Sequence, residues 1–135
     1  MKTQVPMSAD QKAVQQVIMD VLESDSIYNV ERLDHLYSDG MQITRVSRDG
    51  STITMGKEQL LQFLMDKRAR NTANSRPLRA NTDFHHIEVN GEQAQVLMTR
   101  EMKLLGTQER TLYSICLTKM NRHWKVVKET LVART

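Results

Sequence analysis

Asp34, Tyr37 and Asp39 lie close together where a helical pattern gives way to a strand pattern, and they are residue types that move protons. A carboxyl at the rim of an apolar pocket has its pKa raised and can serve as a general acid or base. A buried tyrosine hydroxyl can donate a hydrogen bond to a developing oxyanion. The same residues also have ordinary structural uses: Tyr37 as packing, Asp34 on a helix surface, and Asp39-Gly40 as a turn. His85 and His86 are adjacent in a strand pattern, so they point to opposite faces and cannot readily chelate one metal together. His85 shares parity with Ile87 and Val89, and His86 with Phe84 and Glu88. One of the two is expected to enter a pocket on one side of the sheet, where an imidazole titrates near neutrality.

Three cations interrupt apolar strand faces. Arg100 follows Ala94, Val96 and Met98 at two-residue steps, Lys128 stands between Val126 and Thr130, and Arg45 follows Met41 and Ile43. A guanidinium inside an apolar face must find a partner or reach water. Arg100 could bind a ligand carboxylate or phosphate in bidentate fashion, or pair with Glu129 or Glu101 across the sheet or a dimer interface.

Other chemistries lack their residues. His35 and His123 match no zinc spacing, Cys116 has no readable histidine partner and reads as a buried structural thiol, and there is no glycine-rich phosphate loop. No cofactor and no metal are therefore expected. Lys67, Arg68, Arg70, Arg76 and Arg79 make one basic stretch, but aromatic residues are not interleaved with it, so a solvated loop is expected rather than a nucleic-acid surface. The net charge of +3 requires no polyanionic partner. No run is apolar for long enough to span a membrane. The single cysteine and the absence of an apolar stretch after MKTQVPMSADQK lead to the expectation of a cytoplasmic protein.

The elements that must position these residues come in a definite order. Ser8 and Gln11 have capping-box spacing, and Val14, Val17, Ile18, Val21 and Leu22 form the stripe of a helix ending near Ser24 to Ser26. A second helix runs from about Val30 to Tyr37 behind Asn29. Met41 to Val46 and Ser51 to Met55 read as strands joined through Asp49-Gly50. A third helix starts near Lys57, packs Leu60, Leu61 and Leu64, and frays in the basic segment Lys67 to Arg70. Residues 71–82 read as a loop. Four strands follow: Phe84 to Val89, Ala94 to Leu105, Arg110 to Met120 and Trp124 to Val132, with turns at Asn90-Gly91, Gly106 to Gln108 and Asn121 to His123. They predict one antiparallel meander over 84–132 with the helices on one face.

In this order the chain resembles the nuclear-transport-factor-2-like (NTF2-like) superfamily, also called SnoaL-like or cystatin-like. VIMDVLESDS, LDHLYSDGMQIT, TMGKEQLLQFL, DFHHIEVNGEQAQVLMT and RTLYSICLTKMNRHWKVVKETL carry the likeness, over one domain at about residues 8–132. The resemblance implies an α+β cone, a curved antiparallel or mixed sheet wrapped around three N-terminal helices, with a pocket between them. It also implies a homodimer, often formed through the sheet. Apolar residues at both parities agree: Val96 and Met98 against Leu97 and Leu105, and Leu112 and Cys116 against Tyr113, Ile115 and Leu117, so the open sheet face needs a cover. The superfamily includes isomerases, dehydratases, hydrolases and binding modules, and this chain reproduces none of their complete residue sets.

The expected function is a homodimeric pocket domain binding a small, partly apolar molecule. One alternative is a cofactor-free isomerase, dehydratase or hydrolase, with Asp34, Tyr37, Asp39, His85 or His86 as catalytic groups. Another is a protein-interaction module without a working pocket. The ligand is expected beside Tyr37, one of the two histidines, and Arg45, Arg100 or Lys128, with Asp34 or Asp39 near the entrance.

Overall fold

The computed structural model describes residues 6–70, 80–104 and 107–134. Helix α1 (Ala9–Ser26) begins at the predicted capping box: the Gln11 amide donates to Ser8 Oγ at 3.1 Å, and the Ser8 amide donates to Gln11 Oε1 at 2.8 Å. Two amide groups that the helix cannot satisfy are thereby paired. Helix α2 (Val30–Leu36) is capped by Asn29, which accepts from the Arg32 amide at 3.2 Å. Tyr37 caps its other end and opens β1 (Tyr37–Val46), so that strand starts earlier than the periodicity predicts. Strand β2 (Thr52–Gly56) leads into α3 (Lys57–Arg70), which continues through Lys67 to Arg70 instead of fraying there.

The remaining strands are β3 (Ala80–Asn90), β4 (Gln93–Leu104), β5 (Thr107–Met120) and β6 (His123–Arg134). β3 takes in residues read from the sequence as loop, and β5 takes in Thr107 and Gln108, read as turn. The two-residue turns are set by backbone sign. Gly91 has φ 63°, and Asn121 and Arg122 have φ 50° and 68°, the left-handed conformation that matches a hairpin's twist.

The sheet order is β2-β1-β6-β5-β4-β3. β3 to β6 form the expected antiparallel meander, and β1 lies parallel to β6. The architecture is α+β, with three helices against one face of a six-stranded mixed sheet that does not close. Val14, Ile18 and Val21 of α1, Leu33 of α2 and Leu60 and Leu64 of α3 join Val96, Met98, Ile115, Leu117 and Val126 in one buried core. Apolar burial of this kind is the main stabilising term of a small two-layer domain. Among the described residues no helix is long and apolar enough to cross a membrane.

Two bulges govern which side chains reach that core. In β3, Phe84 pairs with Met98 but His86 pairs with Leu97, so His85 is an extra residue. In β6, Val126 pairs with Leu117 but Lys128 pairs with Cys116, so Val127 is extra. Strand alternation is strict only between such insertions, and each one exchanges the two faces for everything beyond it.

Candidate functional site

On the helix-covered face, Trp124 and Val126 point into the core. Beyond the Val127 bulge the inward positions are Glu129 and Leu131, both buried. Glu129 is 4% exposed, an unusual depth for a carboxyl. Its polar contact is the Tyr37 hydroxyl, which donates to Glu129 Oε1 across 3.5 Å. That is the long limit of a hydrogen bond and repays little of the cost of dehydrating a charge. Burial, reinforced by the nearby charge of Asp25, raises the Glu129 pKa to about 8, against the opposing bond from Tyr37. Glu129 is thus chiefly protonated at neutral pH. The same burial, with Glu129 and Asp25 beside it, pushes the Tyr37 hydroxyl well above its ordinary value.

Asp25 belongs to α1. It falls four residues after Val21, extending the buried row Val14, Ile18, Val21 towards the sheet. It also lies in the helix's last turn, which contains no basic residue and whose dipole disfavours negative charge. Burial raises its pKa, and Arg100, Lys67 and Arg45 oppose the rise.

Arg100 occupies the inward register of β4, opposite Thr82 and Thr111. Its Nε is buried without a hydrogen-bond partner among the described residues. Its guanidinium faces Tyr113, whose hydroxyl is pushed up by burial and drawn back by Arg100. Asp25, Tyr37, Arg100, Tyr113 and Glu129 therefore form one electrostatically coupled group, drawn from α1, β1, β4, β5 and β6.

Tyr113 also walls a cavity of about 400 Å³ at the far end of the same face. Arg45, Thr111 and Leu131 line it from the sheet, and Ser47 and Arg48 from the segment after β1. The volume is within the range of small-molecule sites.

The residues singled out from the sequence divide between the two faces. Tyr37, Arg45 and Arg100 reach the helix-covered face. His85, His86 and Lys128 do not. His85 is hydrogen-bonded to Thr99, which lies on the opposite side of β4 from Met98. His86 is exposed and contacts Glu88 at 3.5 Å. The extra residue in β3 turns both histidines to the bare face, so neither enters the pocket. Lys128 is exposed beside Cys116 and Gln42 because the Val127 bulge has exchanged its position with that of Glu129.

Asp34 and Asp39 stand at the opposite end of β1 from the cavity, on the surface, where Lys57 Nζ bridges them at 2.9 and 3.1 Å. The hydrogen bond and charge of Lys57 lower the Asp34 pKa, the reverse of what the rim reading required. Arg76 and Arg79 lie outside the described residues. Glu101 approaches Arg110 at 3.7 Å, so of the two acids proposed as partners of Arg100 only Glu129 shares its face. Among the described residues there is no group of three or more His, Cys, Asp or Glu able to hold a metal ion.

No family model and no curated protein matches the sequence. Solved structures do resemble it. An NTF2-like protein of unknown function from Shewanella baltica OS155 superimposes with TM-score 0.69 at 16% identity, over 96% of this chain and 99% of the other. An NTF2-like protein from Cytophaga hutchinsonii ATCC 33406 gives TM-score 0.71 at 17% identity, over 95% and 100%. A domain of unknown function with a cystatin-like fold from Nostoc punctiforme PCC 73102 gives 0.68 at 15% identity, over 96% and 80%. The chain has the NTF2-like, cystatin-like fold.

The raised Glu129 pKa sets a pH dependence of stability. The ordinary value for a glutamate is 4.5 and the folded value is about 8. Between them the folded state holds a proton that the unfolded state has released, so stability falls as pH rises through this window, by up to about 1.4 kcal/mol per pH unit. The contribution is fully present below the unfolded value. Urea unfolding from about pH 5 to about pH 8 is expected to show this decline in the wild type and a flatter profile in Glu129→Gln. Parallel profiles would contradict the burial of a protonated carboxyl.

Proposed function

We propose that the chain is a pocket domain that binds a small, partly apolar molecule in the cavity on the helix-covered face. The observation that carries this reading is the placement of Arg100, Tyr113, Glu129 and Tyr37 on the inward face, beside an open cavity. Purely structural packing there would favour leucine or methionine, because each buried polar group costs free energy unless fully paired. Convergent polar groups next to an apolar-walled space are what a binding site requires, and they weigh against an interaction module with a closed core. The fold shared with proteins of unknown function supports a pocket-type domain and leaves the ligand open.

A second reading, a cofactor-free isomerase, dehydratase or hydrolase, is favoured by Glu129. A carboxylic acid that keeps its proton near neutrality can donate it to a substrate, with Tyr37 as a neighbouring donor. In this reading Glu129 and Tyr37 replace the histidines as proton-donor candidates. A cytoplasmic setting remains part of the proposal.

The bare face supports the proposed homodimer. Leu112 and Val132 are cross-strand neighbours there, with Leu97 and Cys116 on the same side, all partly exposed in the single chain. Sedimentation equilibrium at micromolar concentration is expected to give a dimer, converted to monomer by Leu112→Arg. A wild-type monomer would remove this part of the proposal.

The cavity is tested by filling it. Ala133 lines it. In a thermal-unfolding screen of small organic acids, alcohols and ketones, some members are expected to raise the wild-type unfolding temperature by a few degrees, as ligands of the folded state do, and to have no effect on Ala133→Trp. A screen in which nothing shifts the wild type, or in which Ala133→Trp responds equally, would overturn cavity binding.

A further inference from the structure

The buried group and the cavity mouth differ in how their charges are answered. Inside, the Arg100 guanidinium faces Asp25 and Tyr113, so its charge already has an acid from α1 opposite it. At the mouth, Arg45 and Arg48 form no ion pair within 4 Å among the described residues, and Arg45 acts on Asp25 more weakly than Arg100 does. Among the described lining residues Glu109 is the one acid, set against two cations.

Arg45 is placed in a way that solvation alone does not explain. Its register lies between Ile53 of β2 and Leu131 of β6, on the helix-covered side, while the outward positions of the same strand hold Thr44 and Val46. An arginine serving only solubility belongs at an outward position. Arg45 instead opens into a space lined also by Thr111, Tyr113 and Leu131.

We infer that this mouth is the carboxylate subsite of a small amphipathic organic acid: Arg45 and Arg48 hold the carboxylate, and the apolar body lies along Leu131 towards Tyr113. The inference rests on the binding reading above and names its ligand class. Planar guanidinium groups match a carboxylate in paired hydrogen bonds. Two arginines against one acid among the described lining residues suit a monoanion. A phosphate monoester would bring a second negative charge close to Glu109.

Calorimetric titration of the full chain with octanoate, octanol and octyl phosphate tests this. The wild type is expected to bind octanoate about tenfold more tightly than octanol, the scale of one charge-assisted contact, and octyl phosphate no more tightly than octanoate. In Arg45→Gln/Arg48→Gln, octanoate is expected to fall to the affinity of octanol, while octanol is unchanged. Both arginines are exposed, so the fold tolerates their replacement, and retained octanol binding reports an intact cavity. Equal wild-type affinity for octanoate and octanol, or a preference that survives the double substitution, would overturn the carboxylate subsite and leave cavity binding standing. Tighter binding of octyl phosphate would overturn the monoanion assignment. Failure of all three probes to bind would overturn the subsite together with the binding reading.

Discussion

The last strand has to bury Trp124 and Val126 at one end and Leu131 at the other, and these residues have opposite parity. One extra residue, Val127, reconciles them, and the inward position that follows is Glu129. The rest of the polar interior depends on that carboxyl. In an apolar environment an ionised acid with a single distant donor is too costly, so it keeps its proton. A neutral Glu129 leaves Asp25 as the acid opposing Arg100, and it lets Tyr37 remain a hydrogen-bond donor beside it.

Such an interior costs stability. A buried Arg100 Nε without a hydrogen-bond partner among the described residues forfeits about 1–3 kcal/mol, and Glu129 is penalised further whenever the pH favours ionisation. A domain of this size has only about 5–15 kcal/mol in total. Polar residues kept in the core at that cost, next to an open cavity, are the physical ground of the proposed binding role. The cavity mouth continues the same face, with Tyr113 as the wall common to both.

Much of the fold was legible. The Ser8 and Gln11 capping box, the Val14 to Val21 stripe and the turns expected at Asn90-Gly91 and Asn121 to His123 are local signals with local causes, and the turns fall within one residue of those positions, at 91–92 and 121–122. The site was legible only where alternation runs unbroken. Ala94, Val96, Met98 and Arg100 share a face, as do Met41, Ile43 and Arg45, so alternation groups each arginine with its apolar neighbours without saying which side the helices cover. Counting by twos through β3 and β6 failed because bulges carry no reliable sequence mark. The expectation of one of His85 and His86 in the pocket, and of Lys128 as a possible ligand contact, rests on that unbroken count. Asp25 had a readable signal, an acid four residues beyond Val21 on the buried row, masked by the assumption that α1 was already ending there. Of the two uses open to Asp34, the surface one is what the structure has, and its ion pair with Lys57, distant in sequence, has no local signal.

The central claim is that Glu129 is a buried, protonated acid on the helix-covered face. Carbon-13 NMR titration of the side-chain carboxyls reads this directly, with Glu129→Gln identifying the signal. The account predicts one glutamate carboxyl titrating near pH 8 that vanishes in the variant. A Glu129 signal titrating near the ordinary glutamate value of 4.5 would contradict it.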